Sequence, residues 1–185
     1  MTNFEKRKLT EIVLYILNKT KGLDYYHLFK IIYFANISHL AKYGVRITTD
    51  EFCALSDGPV PSMLYGSIRG DRHFGDDELK KMMDSDVSKG NDDAYFMLIA
   101  KREANLDYLS VSVREELDKS IAKNAYLPYG ELRTKSHGKE WERAFYSSKN
   151  SRKVMDVVGM AQDAEASDAM IEYIREMTEL ENALA

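Results

Sequence analysis

The sequence is poor in the residues that cross-link a chain or interrupt its folding. Its 185 residues include one cysteine, Cys53, three prolines and one tryptophan. A single cysteine excludes an intramolecular disulfide, and the lack of disulfides is typical of a reducing compartment. No apolar run approaches the roughly 20 residues of a membrane-spanning helix, and the N-terminus lacks the apolar core of a signal peptide. These absences predict a cytoplasmic protein with no membrane partner.

The chain also lacks a strong excess of either charge, because 26 basic residues oppose 30 acidic ones for a formal charge of −4. The acidic excess is local. Residues 151–185 contain three basic and eight acidic side chains, a balance of −5, which leaves +1 for residues 1–150. Nucleic-acid binding depends on neutralising phosphates, so a near-neutral body does not favour a nucleic-acid partner. We predict a domain over residues 1–150 and an acidic helical extension over residues 151–185 that packs on the domain or on a partner.

Apolar residues recur every three or four positions over residues 4–19, as on one face of an amphipathic helix. A second helix is predicted to begin after Asp24 as its N-cap and to end at Gly44, because glycine tolerates the left-handed conformation. This second helix is apolar around most of its circumference and should be central to the core. Lys30 lies among its aromatic residues, and we interpret its stem as covering apolar surface while its ammonium group reaches water.

Short strands and further helices follow. Residues 52–56 and 94–100 have the bulky apolar composition of strands and are predicted to pair, with residues 106–109 as an optional third strand. The stretch from Asp57 to Pro61 is predicted as a turn. Residues 71–93 are predicted as a polar surface excursion with one weak helical stretch around residues 76–83. Ser112 and Glu115 have the spacing of a capping box. Helices are predicted over residues 61–70, 112–124, 131–136 and 138–146, and after a cap at residue 167 or 168. The fold class is therefore α+β, helix-dominated, with several packed α-helices and a small antiparallel sheet of two or three short strands.

A search for catalytic or metal-binding patterns gives no site. The four histidines have no metal-type spacing, and neither a phosphate loop nor a Gly-x-Ser-x-Gly elbow occurs. The pairs Asp76-Asp77 and Asp92-Asp93 are interpreted as solvated charges rather than a cation site. Cys53, within an apolar strand, is interpreted as a buried and inert thiol. We predict no cofactor and no catalytic residue, and a small enzyme that uses His39 or His137 with a nearby Asp stays as an alternative.

Several pieces of the sequence occur together in an order that defines a known pattern. They are the helix with Lys30-x-x-Tyr33, an Asp-x-Phe-x-Ala strand, a Gly-Pro-Val block and a Ser-His-x-x-x-Trp ending. Over about residues 6–146 the chain resembles the Panacea domain, the SocA-like antitoxin family whose members are often labelled phage-associated proteins. Ser136 and Glu140 depart from it, since the family usually has Thr and Pro there. The residues that match the family pattern, and are candidates for partner binding, are Lys30, Tyr33, His39, Gly44, Phe52, Gly58, Pro59, Val60, Tyr65, His137 and Trp141.

The resemblance implies a helix-rich α+β domain that acts without catalysis. It implies the antitoxin of a type II toxin–antitoxin or phage-defence module in a bacterium or prophage, which neutralises a cognate protein toxin by direct contact. An alternative within the same family is an adaptor that delivers the toxin to an AAA+ protease. Whether the chain also forms homo-oligomers is left open by the sequence.

Overall fold

The computed structural model describes residues 1–71, 73–90, 95–147 and 152–184. The helices are α1 (Asn3–Thr20), α2 (Tyr25–Tyr43), α3 (Ser62–Arg69), α4 (Asp77–Asp86), α5 (Val111–Asn124), α6 (Tyr129–Ser136), α7 (Lys139–Glu142), α8 (Val157–Asp163) and α9 (Asp168–Leu184). The strands are β1 (Leu23–Asp24), β2 (Phe52–Leu55), β3 (Gly58–Pro61), β4 (Val87–Lys89) and β5 (Met97–Ala100). Strand β5 lies between β1 and β4 in one antiparallel sheet, and β2 pairs with β3 in another. The prediction of a helix-dominated α+β fold is confirmed.

Helix α2 is central to the fold, as its broad apolar surface predicted. The side chain of Asp24 accepts a hydrogen bond from the amide of His27, and Gly44 ends the helix at a positive φ of 71°. Both are common terminal arrangements, because a side-chain oxygen satisfies a free amide at the start and glycine adopts the left-handed conformation at the end. The helix packs against α5, α8 and the β2–β3 hairpin. Thirteen of its nineteen residues are buried.

The pairing of the strands differs from the prediction. β2 pairs with the segment directly after it, with Cys53 opposite Val60 and Ala54 opposite Pro59, so the predicted turn at residues 58–61 is in fact β3. Proline lacks an amide hydrogen and is tolerated at a sheet edge, where β3 lies. The strand at 97–100 joins β1 and β4 instead of β2. Leu106–Tyr108 form a 3-10 turn rather than a third strand.

Two further predictions were wrong in detail. Within the excursion over residues 71–93, the helical stretch predicted around residues 76–83 forms as α4, but the segment also contains β4, and Leu79 and Met83 of α4 are fully buried instead of lying at the surface. Two apolar residues four positions apart form one helix face, which here packs on α1. At the start of α5, Ser110 is the N-cap and accepts a hydrogen bond from the amide of Val113, so the predicted capping box at Ser112 does not form.

The acidic tail contains two differently packed parts. The carbonyl of Lys153 accepts a hydrogen bond from the amide of Ala54, and the amide of Met155 donates to the carbonyl of Phe52. This segment therefore runs along β2 on the side opposite β3, and Met155 and Met160 are buried in the core. Helix α9 begins after Ser167, as predicted, but Ile174 is its only buried residue among those that the structure describes.

A buried carboxylate holds the start of α3. Asp50 accepts hydrogen bonds from the amides of Met63 and Leu64, each at 2.9 Å. Pro61, the N-cap residue, has no side-chain group for this role. Burial raises the pKa of Asp50 from 3.8 to about 6, although the two amides oppose that rise. The carboxylate thus replaces the missing cap from twelve or more residues away in the chain.

This arrangement predicts a pH dependence of stability. The folded state binds the Asp50 proton more tightly than the unfolded state between pH 3.8 and about 6, so stability should fall as pH rises across that window. Asp50→Asn removes the titration, and Asp50→Ala, which leaves both amides without their acceptor, should cost about 1–3 kcal/mol. Urea unfolding of wild type and Asp50→Asn through this window measures the difference. Parallel stability curves for the two proteins would contradict the assignment.

Candidate partner-binding site

The β2–β3 hairpin covers Lys30 of α2 completely. The ammonium nitrogen of Lys30 lies 2.9 Å from the carbonyl oxygen of Pro59, to which it donates a hydrogen bond, and 4.7 Å from the centre of the Tyr26 ring. Its side chain has no exposed surface. The interpretation that its charged end reaches water was therefore wrong, because the hairpin folds over the amine. Lys30 instead ties the central helix to the edge strand.

Burial changes the chemistry of this amine. It lowers the pKa of Lys30 from 10.5 to about 7, against the attraction of the nearby Asp57 carboxylate. Gly58 makes the close approach of the hairpin feasible: its φ is +99°, and an added Cβ would lie 2.5 Å from the hydroxyl of Ser136 and 3.0 Å from Cε of Lys30. Near neutral pH, both the amine and the ammonium form are populated beneath the hairpin.

A stacked pair of aromatic rings holds the other side of the hairpin. The rings of His137 and Trp141 are 3.6 Å apart and nearly parallel, at 4°. The indole nitrogen of Trp141 donates a hydrogen bond of 2.9 Å to the carbonyl of Leu55 at the end of β2. The predicted contact of the two rings is confirmed, although His137 follows α6 and Trp141 lies in α7, so they do not share one helix. Burial lowers the pKa of His137 to about 4, so the ring is neutral at physiological pH.

Above these buried groups lies a polar network that we call the tip surface, defined by Asp57, Tyr95, Tyr129 and Arg133. The hydroxyl of Tyr95 donates to the Asp57 carboxylate at 2.9 Å and lies 3.0 Å from the hydroxyl of Tyr129. The guanidinium of Arg133 donates to the carbonyl of Ser56 and is 3.6 Å from Asp57. Burial opposes ionisation of Asp57, but the hydrogen bonds from the two tyrosines and the positive charge of Arg133 hold its pKa below the usual value. The tip surface thus presents one carboxylate, one guanidinium and two hydroxyls.

The tip surface rests on a rigid aromatic layer. The Tyr26 ring contacts the rings of Tyr95 and Tyr129, with centroid distances of 5.2 and 4.5 Å. The Tyr26 hydroxyl is buried and has no hydrogen-bond partner among the described residues. Tyrosine and arginine are enriched at protein interfaces, because each presents a large contact area with a polar end. Side chains held in this way lose little conformational entropy when a partner binds.

The remaining predicted residues lie elsewhere. Tyr33, Phe52 and Val60 belong to the core, with the rings of Tyr33 and Phe52 edge to face at 5.4 Å. Tyr65 packs between Phe29 and Phe74. Phe52 and Val60 lie in the two hairpin strands, but their side chains belong to the core. Five of the eleven predicted residues surround the buried amine or form the stacked pair that holds the hairpin, namely Lys30, Gly58, Pro59, His137 and Trp141.

His39 and Gly44 lie towards the other end of α2. His39 is held between the carbonyl of Val45, at 2.6 Å, and the hydroxyl of Ser112, at 3.1 Å. Gly44 lies beneath Tyr173 of α9. His39 and His137 have no hydrogen-bonded carboxylate in the described part of the chain, an arrangement that does not favour the enzyme alternative.

The tip residues themselves were missed at the sequence level. Asp57, Tyr95, Tyr129 and Arg133 come from three separate parts of the chain. Tyr129 and Arg133 have the i, i+4 spacing of one helix face, but no spacing rule relates this pair to Asp57 or Tyr95. Only weak signals in the sequence point to a site at these positions. Asp57 directly precedes the turn glycine, and Tyr129 follows Pro128 at a helix start. Only the packing of the hairpin against α6 and the segment before β5 makes them neighbours.

The described residues contain no group of three or more His, Cys, Asp or Glu side chains placed to hold a metal ion. Asp76 caps α4 and pairs with Lys6 at 2.8 Å, whereas Asp92-Asp93 lie outside the described residues. Cys53 is fully buried, as predicted, and burial raises the pKa of its thiol to about 11. Across the described ranges, no helix combines the length and the apolar character needed to span a membrane.

The fold and the covered hairpin define a helix-dominated α+β domain without a metal cluster among its described residues. The family model described as antitoxin SocA-like, Panacea domain, matches residues 28–142. This match covers more than half of the chain, which therefore belongs to the SocA-like antitoxin family. The matched range runs from α2 to the end of α7 and includes every residue on which the resemblance was based. No curated protein and no solved structure matches the chain.

Proposed function

We propose that this protein neutralises a cognate protein toxin by direct contact, and that the tip surface is part of the contact area. The observation that carries the proposal is the convergence of family-matched residues beneath an exposed polar and aromatic network. Lys30, Gly58 and Trp141 are buried and fix the hairpin, while Tyr129 remains 37% exposed. Membership of an antitoxin family supports a protein partner, and the fixed hairpin supports binding without rearrangement.

The chemistry of the tip surface favours a polar, specific contact. Asp57 can accept hydrogen bonds from a partner's amides or cations, and Arg133 can donate to its carbonyls or carboxylates. Tyr129 adds apolar area and a hydroxyl at the same place. Tyrosine and arginine are enriched in interfaces between proteins that also fold separately, and a carboxylate such as Asp57 is more typical of their polar rim. Neutralisation by this route requires only occlusion of the toxin.

Substitution of the tip surface tests the proposal. In co-expression with the product of the neighbouring gene, Tyr129→Ala and Arg133→Glu should each weaken the complex by about tenfold or more and reduce rescue of growth. Tyr108→Ala is the matched control, because this tyrosine packs on Phe4, with ring centres 5.5 Å apart, and not on Asp57. Growth assays and titration of the purified proteins give the two readouts.

The possible outcomes separate the function from the surface. If the neighbouring product is harmless alone, or stays toxic beside the wild-type protein, the antitoxin function is contradicted. If rescue succeeds and neither tip variant weakens it more than the control does, the tip surface is excluded as the contact area.

Delivery of the toxin to an AAA+ protease is a second candidate function. The observation that favours it is α9, which is largely exposed, acidic and separate from the tip surface. An adaptor needs one surface for its cargo and another for the protease. The half-life of the toxin in cells with and without this protein distinguishes the two functions, since an unchanged half-life excludes delivery.

A further inference from the structure

Helix α9 carries an exposed apolar stripe. Its members recur at alternating intervals of three and four residues, the spacing of the a and d positions in a helix that pairs with another helix. Four of them are well exposed, with fractions of 46% for Tyr173, 37% for Met177, 51% for Leu180 and 80% for Leu184. We call this set the α9 stripe; it consists of Met170, Tyr173, Met177, Leu180 and Leu184. Such a run of large apolar side chains marks an interaction surface more often than chance exposure does.

Only the first half of α9 is held by the rest of the protein. Ile174 is buried, and Tyr173 and Met170 lie against Gly44 at the end of α2. Beyond Ile174, every described side chain of the helix is exposed or half-buried, and Glu181 approaches Arg46 at 3.9 Å. A helical segment of this length is marginally stable in isolation. In the part of the chain that the structure describes, the second half of α9 therefore leaves its stripe largely uncovered.

The charges beside the stripe identify the chemistry of its partner. With Met170 and Met177 at a positions, Glu176 and Glu181 occupy the flanking g and e positions. Arg175 lies on the opposite face and hydrogen-bonds to Glu172. A second copy of this chain would bring Glu176 and Glu181 against each other, which is unfavourable. A helix with Lys or Arg at its own e and g positions would instead pair with Glu176 and add a second cation beside Glu181, which is 68% exposed and only 3.9 Å from Arg46 on one side.

We propose that the α9 stripe binds a basic amphipathic helix of the toxin that this protein neutralises. The inference rests on the proposed function and deepens it by assigning a second contact area and the chemistry of the segment that occupies it. Lys30 and Gly44 are fourteen positions apart along α2 and its cap, or about 20 Å of helix. The stripe and the tip surface thus contact different parts of a partner. The glutamates beside the stripe attract the basic side chains of the bound helix.

Charge variants of the full chain test the proposal with a defined probe. The probe is a synthetic peptide of about three heptads, with Leu at a and d and Lys at e and g, and the matched peptide has Glu at e and g. Fluorescence anisotropy should detect binding of the basic peptide alone. Glu176→Lys with Glu181→Lys should weaken it by about tenfold or more, whereas Glu172→Lys with Glu179→Lys, an equal change of charge on the other face, should leave it within about threefold.

Equal weakening by both double variants, or equal binding of both peptides, would overturn the proposal, since attraction would then be unspecific. Leu180→Asp provides a second test, because this exposed residue contributes little to folding. A dimer of the wild-type protein in sedimentation that Leu180→Asp dissociates would assign the stripe to a second copy and overturn the proposal.

The toxin itself separates this inference from the proposed function. Weaker binding of the toxin to Leu180→Asp supports the inference. Full toxin affinity in that variant overturns it and leaves the proposed function standing. A wild-type protein that binds the basic peptide but no toxin contradicts the proposed function and overturns the assignment of the bound helix to a toxin.

Discussion

Removal of residues 152–185 is expected to unfold the protein, whereas removal of residues 167–185 is expected to leave it folded. The first truncation deletes the segment hydrogen-bonded along β2, with the buried side chains of Met155 and Met160. Burial of each such side chain contributes about 1.5–3 kcal/mol, and the exposed edge of β2 adds to the loss. The two side chains alone contribute about 3–6 kcal/mol, which already reaches the lower part of the stability of an ordinary domain, about 5–15 kcal/mol. Among the side chains of α9 that the structure describes, the second truncation removes a single buried one, Ile174.

Circular dichroism and urea unfolding of the two truncated chains check this expectation. The longer chain, residues 1–166, should unfold cooperatively, at a urea midpoint reduced by the loss of Ile174. The shorter chain, residues 1–151, should show no cooperative transition. A cooperative transition in the shorter chain would contradict the role assigned to the segment along β2. The longer chain is then the variant that separates folding from partner binding, since it lacks the α9 stripe and keeps the tip surface.

The contacts of Glu140 give a further reason why the chain without residues 152–185 should unfold. It stands where the family usually has Pro, and its carboxylate accepts hydrogen bonds from the amide of Asp156 and from Arg143. Its own amide donates to Asp163 at 3.0 Å. This departure from the family pattern therefore joins α7 to the part of the tail that packs on the core. We propose that the separable part of the acidic extension is α9 alone.

Lys30→Met is expected to stabilise the protein at neutral pH and to reduce the pH dependence of its free energy of unfolding above pH 7. Burial lowers the pKa of Lys30 from 10.5 to about 7, and one pKa unit corresponds to about 1.4 kcal/mol. Between those values the unfolded chain binds the proton and the folded chain releases it. Stability of the wild type should therefore rise with pH across this window, by about 4 kcal/mol relative to the Met variant.

Guanidinium unfolding of both proteins at a series of pH values from about 7 to about 10 measures this difference directly. Other groups that titrate there, such as Cys53, are present in both proteins and cancel in the comparison. Lys30→Ala is the control for volume, since it also removes the amine but leaves a cavity, and it should be less stable than Lys30→Met by about 2–4 kcal/mol. Parallel pH curves for wild type and Lys30→Met would show that the amine is not desolvated.

Lys30 also shows why sequence reasoning failed at a family-matched position. A lysine among apolar residues on a helix usually extends to water, and nothing within the helix indicates otherwise. The amine is buried because the hairpin returns over it from residues 58–61, and because Gly58 lacks the side chain that would hold the two apart. Residues 58–61 of this hairpin were predicted as a turn, because proline lacks the amide hydrogen that a strand donates to its neighbour. β3 lies at the edge of its sheet, where a strand tolerates proline.

The sequence by itself determined the family, the first two helices and the start of α9. Helix α1 follows from apolar periodicity, and both ends of α2 and the start of α9 follow from caps at Asp24, Gly44 and Ser167. These signals depend on neighbours within about one turn. The tertiary structure decided the rest: which strands pair, that Lys30 is buried, that the tip residues meet, and that the tail divides into a packed and an exposed part. Trp141 and the Leu55 carbonyl it contacts are 86 residues apart. Contacts at that range depend on how whole elements pack together, and a local pattern carries no information about them.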